Sequence, residues 1–362
     1  MATPPTRDDP WSVVNVVGMS PPVDCSKPYD PSALAGRTML ITGGASGLGA
    51  AFARHWASHG AHIIIGDIND RLGEELVAEL RSSSSTASSR GQVIAYQHCD
   101  VTSWADQVAL FQTAVSLSPT GSLDTVVAGA GIAEPSNVFE PSPPPTLFDT
   151  PPETIDSSTP PPPLRVLAVN LTGVMYTANL ALHYLPRKRD NGDDNNNNNN
   201  NNNSSSSDRH LLLISSLAGV MPFPGQTEYT ASKHGVMGLF RALRGTAWPT
   251  RGVRVNVLCP YFVDTPILPR AAFSLLAGSR PTALADVVDA ATRLAADRHI
   301  RGRALAVGPR IRVVDVPAAA AVAATTDTDG QVEEGEEDGG LGNGVRVVEE
   351  EPGRLGALRT RL

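Results

Sequence analysis

Residues 38 to 49 read Thr-Met-Leu-Ile-Thr-Gly-Gly-Ala-Ser-Gly-Leu-Gly, an apolar, β-branched run that ends in a cluster of glycines. The run Thr38 to Thr42 has the character of a strand buried on both faces. The loop Gly43 to Gly49 follows directly, and helix-like sequence begins at about Leu48. Strand, glycine turn and helix start in that order make a phosphate site. Glycine lets the backbone turn sharply and approach a pyrophosphate, and a helix N-terminus offers free N–H groups with partial positive charge. Gly43, Ser46, Gly47, Leu48 and Gly49 are the residues this places against a dinucleotide. The spacing is GxxxGxG rather than GxGxxG, and the cluster alone leaves an ordinary glycine turn open as the other reading.

Similar runs recur at 62–67, 92–97, 123–129, 210–215, 253–259 and 303–308. Helix-like segments separate them near 48–59, 71–81, 104–117, 164–185, 229–247 and 284–297, with Asp70 and Thr102 or Ser103 as caps. This alternation predicts an α/β fold, a doubly wound sheet of about seven parallel strands with right-handed crossovers. The domain is expected over residues 36–316, after an N-terminal extension (1–35) and before an acidic tail (317–362) expected to be disordered. Two internal insertions interrupt it. Residues 135–163 hold eleven prolines and read as an irregular loop, and residues 187–209 carry nine consecutive asparagines, Asn195 to Asn203, with a serine run behind them.

Composition narrows the function classes. The 362 residues are 41% hydrophobic and 18% charged, as a soluble globular chain is. The net charge is -8, and the ten acids and four bases from Pro317 onward account for -6 of it, leaving -2 for the rest. A near-neutral folded part argues against nucleic acid. Cys25, Cys99 and Cys259 form neither a disulfide framework nor a CxxC pair for a metal, which suits a reducing compartment. No leader pattern stands at the N-terminus, and no segment is expected to reach the roughly 18 apolar residues of a membrane span, so a cytoplasmic protein is expected.

Eighteen residues past Gly49 the second strand ends in Asp67, where a carboxylate can accept hydrogen bonds from an adenosine ribose and repel a 2′-phosphate. The nearest following base is Arg71, so NAD is expected over NADP; a turn or capping role is the plainer alternative for Asp67. Asp100 and Val101 at the third strand's end can bracket the adenine, although Asp100 equally suits a helix cap. Gly129 lets the backbone pass close to the cofactor.

Tyr229 and Lys233 stand four residues apart in Tyr-Thr-Ala-Ser-Lys and share one helix face. A phenol with an ordinary pKa near 10 is a poor base at neutral pH. A nearby ammonium stabilises the phenolate, and a three-unit shift corresponds to roughly 4 kcal/mol. Ser216, thirteen residues before Tyr229, ends the fifth strand, where its hydroxyl can hold a substrate oxygen against the phenol; alternation turns Ser215 the other way, to a structural role.

The ordered set of Gly43, Gly47, Gly49, Asp67, Ser216, Tyr229 and Lys233 resembles the short-chain dehydrogenase/reductase family from about Gly36 to Val314. The stretch from Ser215 to Ile267 looks most like the NAD-dependent 15-hydroxyprostaglandin dehydrogenase group and related dehydrogenases of fungal secondary metabolism. The resemblance implies one Rossmann-type domain, Tyr229 as general acid/base, Ser216 polarising the substrate oxygen and Lys233 also contacting the nicotinamide ribose. It further implies that the Asn170 main chain holds a water linking Lys233 to solvent, that Gln226 touches the substrate hydroxyl, and that the helices near 164–185 and 229–247 pair the chains into a homodimer or homotetramer.

Two departures from the family pattern stand out. Val127-Ala128-Gly129-Ala130-Gly131 stands where the family often has Asn-Asn-Ala-Gly, and the missing asparagine side chain loses a sheet-bracing hydrogen bond. Tyr261 follows Pro260 where glycine is usual and would crowd the nicotinamide side or wall the pocket, while Val263 and Thr265 suit the nicotinamide carboxamide. The apolar segment Pro266 to Pro281, with Phe273, Leu275 and Leu276, reads as a lid over an apolar alcohol or ketone or as simple core cover. An NADP-dependent ketone reductase and a catalytically silent NAD-binding scaffold are the competing functions.

Overall fold

The computed structural model describes residues 18–83, 91–133, 157, 161, 164–186, 208–221, 226–267, 281–308 and 314–316. Seven strands run parallel: β1 (Thr38–Thr42), β2 (His62–Asp67), β3 (Ile94–His98), β4 (Thr125–Ala128), β5 (Arg209–Ile214), β6 (Val253–Pro260) and β7 (Ala304–Val307). Their order is β3-β2-β1-β4-β5-β6-β7, and β8 (Val314–Val316) adds an antiparallel edge on β7. That last strand was absent from the expectation, since three residues ahead of Pro317 make too short a run to stand out.

Alternation along each strand explains why both faces are apolar. Met39, Ile41, Ile63 and Ile65 meet α1 (Gly47–Ser58), α2 (Asp70–Ser83) and α6 (Leu284–Ala296), which contribute Phe52, Trp56, Leu76, Leu80, Val287 and Leu294. Leu40, Ile64, Leu211 and Leu213 meet the other layer, α3 (Trp104–Leu117), α4 (Arg165–Tyr184) and α5 (Thr227–Arg251), with Phe111, Ala178, Met237 and Phe240. Burying such rows on both sides of a parallel sheet is the main stabilising term.

Two local expectations change. Ser103 does cap α3, accepting from the Asp106 N–H at 3.2 Å. Asp70 caps nothing: Asn69 Oδ1 accepts from the Leu72 N–H at 3.1 Å, and the Asp70 carboxylate is taken by the Tyr96 hydroxyl at 2.6 Å and the His98 ring at 2.8 Å. Helix α4 is also long and apolar enough, by length and composition, to cross a membrane, contrary to expectation. In this fold Val174, Ala178, Leu180 and Ala181 are buried in the core beneath it.

At the strands' N-terminal end, Asp208 accepts two hydrogen bonds from Arg254, at 2.6 and 2.7 Å, and lies 3.0 Å from Arg37. Burial pushes the Asp208 carboxyl up, but the two guanidinium groups outweigh it and hold it below the ordinary value. Asp208 and Arg209, the last residues of the asparagine-rich insertion, thus belong to the fold; its residues 187–207 lie outside the described residues, as do the acidic tail and, apart from 157 and 161, the proline-rich insertion. Residues 18–34 run against α6 and the turn before β7. Ser20 N–H donates to the Arg301 carbonyl at 3.0 Å, Arg293 donates to the Lys27 carbonyl at 2.7 Å, and Tyr29 donates to Asp289 at 2.9 Å.

Candidate active site

The strand order reverses between β1 and β4, and the crevice that this leaves at the strands' C-terminal ends is where open α/β sheets bind ligands. A cavity of about 810 Å³ lies there. The register sets Thr42 beside Gly66 and Ala128, so the glycine loop, Asp67 and Gly129 leave their strands at one level. Of the residues expected to face a dinucleotide or substrate, these line the cavity: Gly43, Ser46, Gly47, Leu48, Gly49, Asp67, Asp100, Val101, Gly129, Val263 and Thr265 for the cofactor, and Ser216, Gln226, Tyr229, Lys233 and Tyr261 for the chemistry and substrate. Asn170 stands behind the wall.

The loop is shaped as a cradle. Gly43 has φ +68°, and a Cβ on it would come within 2.5 Å of the Ala130 Cα; a Cβ on Gly49 would collide with the Gly43 carbonyl. Ser46 is the N-cap of α1 but its side chain makes no capping bond, and the first turn contains no acid. The start of α1 thus has no capping side chain and no acid of its own, and it faces the cavity, which fits a pyrophosphate. The lost asparagine brace is replaced by Thr42, whose hydroxyl donates to the Val127 carbonyl and accepts from the Gly129 N–H, both at 3.2 Å.

Asp67 braces its own turn and also borders the cavity. Its carboxylate accepts from the Ala45 N–H and the Asn69 N–H, each at 3.0 Å, tying the β2 turn to the glycine loop, and it still lines the cavity. Asp100 accepts from the Thr102 N–H and hydroxyl, both at 2.8 Å, so it shapes the turn after β3 as well as the cavity wall.

Ser216, Tyr229 and Lys233 meet across the ends of β5 and α5. The Ser216 hydroxyl lies within hydrogen-bonding reach of the Tyr229 phenol, to which its proton can turn from the Pro260 carbonyl at 3.2 Å, and it accepts from the Ala218 N–H at 3.1 Å. Ser215 points away and donates to the Lys233 carbonyl at 3.1 Å. Lys233 Nζ donates to the Ile214 carbonyl at 3.2 Å and sits 5.5 Å from the Tyr229 ring centre. Burial lowers the Lys233 pKa to about 8. Burial also raises the Tyr229 phenol, and the bond to Ser216 only partly offsets this, so the protein alone does not produce the depressed phenol that the Tyr-Lys spacing suggests. The physical reason is that dry surroundings disfavour every charged form, the ammonium included.

Asn170 lies in a π-helical turn, Ala168–Gly173, inside α4. Its amide donates to the Ile132 carbonyl at 2.9 Å and to the Ser232 hydroxyl at 3.2 Å, and its oxygen accepts from the Ile132 N–H at 2.8 Å. Ser232 in turn donates to the Tyr229 carbonyl at 2.6 Å. Ser232 and the buried Glu228 were missed by sequence reasoning, although both flank Tyr229; their partners come from α4, which no local pattern announces. On the substrate side Gln226 and Tyr261 are joined by Ile132, Arg165, Met221 and Ile267, while residues 268–280, with Phe273, Leu275 and Leu276, lie outside the described residues.

The model of the family described as short chain dehydrogenase matches residues 37–193 and 205–272. The chain is 38% identical over 289 residues to a 5′-hydroxyaverantin dehydrogenase of Dothistroma septosporum, covering 77% of this chain and 87% of that protein. It is 33% identical over 286 residues to an NADP-dependent dehydrogenase M3 of Phoma sp., covering 76% of each. Among solved structures, levodione reductase superposes with a TM-score of 0.58 at 20% identity, over 76% of this chain and 97% of that one, a likeness of fold. A glycine cradle, a Ser-Tyr-Lys set in one crevice and these matches together identify the chain as a member of the short-chain dehydrogenase family, NAD(P)-binding oxidoreductases that act on CH–OH groups.

Proposed function

We propose that this protein interconverts a secondary alcohol and a ketone on a bulky, largely apolar substrate, with NAD as the preferred cofactor. The observation that carries the reading is the contact of Ser216, Tyr229 and Lys233 in the same cavity as the glycine cradle. Gly43, Gly47, Gly49 and the α1 N-terminus would hold the pyrophosphate, Asp67 the adenosine ribose, and Val263 and Thr265 the nicotinamide end. The bound nicotinamide supplies the hydride acceptor in oxidation and the donor in reduction.

The chain's own residues do the rest. Ser216 turns its hydroxyl from the Pro260 carbonyl to the substrate oxygen and fixes it beside the phenol. Tyr229 takes the proton from that oxygen in oxidation and returns it in reduction. Lys233 faces the developing phenolate with its ammonium, and at a pKa of about 8 it is mostly charged at neutral pH. Asn170 keeps the π-turn and the Ile132 strand-end fixed behind them. Ile132, Met221, Tyr261 and Ile267 give the substrate side its apolar surface, which suits a hydroxylated compound of the kind that the Dothistroma relative is named for. Pairing through α4 and α5 into a dimer or tetramer, and a cytoplasmic location, complete the reading.

The test is a panel of secondary alcohols, 5′-hydroxyaverantin among them, incubated with NAD while NADH absorbance is followed. Turnover that vanishes in Tyr229→Phe is expected; full turnover by that variant overturns the role of Tyr229. The Phoma relative's name favours a second reading with NADP. Tighter binding of NADPH than of NADH would establish it and overturn the role given to Asp67.

A further inference from the structure

Glu228 is a buried carboxylate, 3% exposed, that the chemistry above does not use. It precedes Tyr229 on the first turn of α5. A carboxylate so far from water needs N–H donors or positive charge around it. Its Oε1 accepts from the N–H of Leu167, in the first turn of α4, at 2.9 Å. Helix α4 has no cap of its own, for Leu164 stands at its N-cap without a side-chain bond, and Gln226 does not cap α5 either. A side chain from the first turn of α5 therefore supplies the acceptor that the start of α4 lacks.

Beyond Leu167 the chain enters the π-turn that carries Asn170, and Asn170 reaches Ser232, which reaches the Tyr229 carbonyl. These bonds close a circuit from Glu228 through Leu167, Asn170 and Ser232 back to Tyr229. We propose that Glu228 is a positioning residue that clamps α5 to α4 and thereby sets where the Tyr229 phenol stands relative to Lys233 and the substrate oxygen. The proposal rests on the reading of Tyr229 as the acid/base group.

Three variants of the full chain test it. Glu228→Gln keeps an acceptor oxygen in place without the charge, Glu228→Leu fills similar volume with no acceptor, and Glu228→Asp keeps the charge on a shorter arm. Hydrogen–deuterium exchange needs no substrate: peptides spanning 165–170 and 227–233 are expected to exchange faster in Glu228→Leu and at the wild-type rate in Glu228→Gln. With an alcohol that the wild type oxidises, kcat in Glu228→Leu is expected to fall on the order of ten- to a hundredfold, as for a small misplacement of a reacting group. The acid limb of its pH profile moves as well, NADH binding is unchanged, and Glu228→Gln restores both kcat and limb. If melting curves show Glu228→Leu unfolded, Glu228→Asp carries the same expectation.

Wild-type exchange, or a wild-type kcat and limb, in the variant lacking the acceptor overturns the clamp. So does a Glu228→Gln protein as impaired as Glu228→Leu, which would make charge rather than the hydrogen bond the active element. A wild type that oxidises no alcohol on the panel counts against the functional reading instead, and the exchange measurement still decides the clamp.

Discussion

Lys233 Nζ is tethered to the Ile214 carbonyl at 3.2 Å, which holds a cation at the end of β5 beneath the ring of Tyr229. Below a pH of about 8 that cation is present and supports a phenolate; as pH rises through 8 the support is withdrawn. Replacing it, as in Lys233→Met, leaves burial, which raises the phenol, opposed only by Ser216. Alcohol oxidation at neutral pH is expected to drop by about a hundredfold, within the usual range for general acid/base groups, and the acid limb of kcat against pH to move upward. A limb that stays in place would remove Lys233 from the proton step.

Asp67 joins the β2 turn to the glycine loop through Ala45, so its replacement acts twice. Asp67→Ser removes an acceptor for the ribose hydroxyls and a charge that repels a 2′-phosphate. Fluorescence titrations are expected to show weaker NADH binding and a Kd ratio shifted toward NADPH by roughly tenfold, about 1.4 kcal/mol. An unchanged ratio would mean that Asp67 serves the loop alone.

Asp208 offers a test of stability that leaves the cavity untouched, because it lies at the other end of the strands. Removing its charge leaves Arg254, which is fully buried, and Arg37 without their counter-ion. Asp208→Asn is expected to lower the unfolding free energy by about 3–5 kcal/mol in denaturant titrations while NADH binding persists. The folded-state pKa lies below the ordinary carboxylate value, so the contribution is present above that value and is lost as pH falls through the folded one. The variant should accordingly lose less stability on acidification than the wild type.

What could be read from the residues in order was what depends on short spacing. The glycine loop, Asp67, the Ser216 to Tyr229 interval and the Tyr229 to Lys233 pair are local patterns, and the seven parallel strands announce themselves as apolar runs. Glu228 was hidden because its partner lies 61 residues earlier, and Asp208 because it sits inside what reads as an insertion and its partner lies 46 residues later. The choice of Asn69 over Asp70 as cap turns on Tyr96 and His98 drawing Asp70 to β3, a contact 26 to 28 residues away. The direction of the Tyr229 pKa depends on how dry the finished crevice is, which only the assembled layers determine.

The bonds from Ser20, Lys27 and Tyr29 to residues of α6 and the turn before β7 have a consequence for the order of events on the ribosome. Ser20 and Arg301 are 281 positions apart. Residues 18–34, made ahead of the sheet, must therefore wait for nearly the whole domain to be made before their docking surface exists. Contacts of such separation form late because the intervening chain must first be ordered. Residues 18–34 are thus expected to fasten after the sheet is built rather than before.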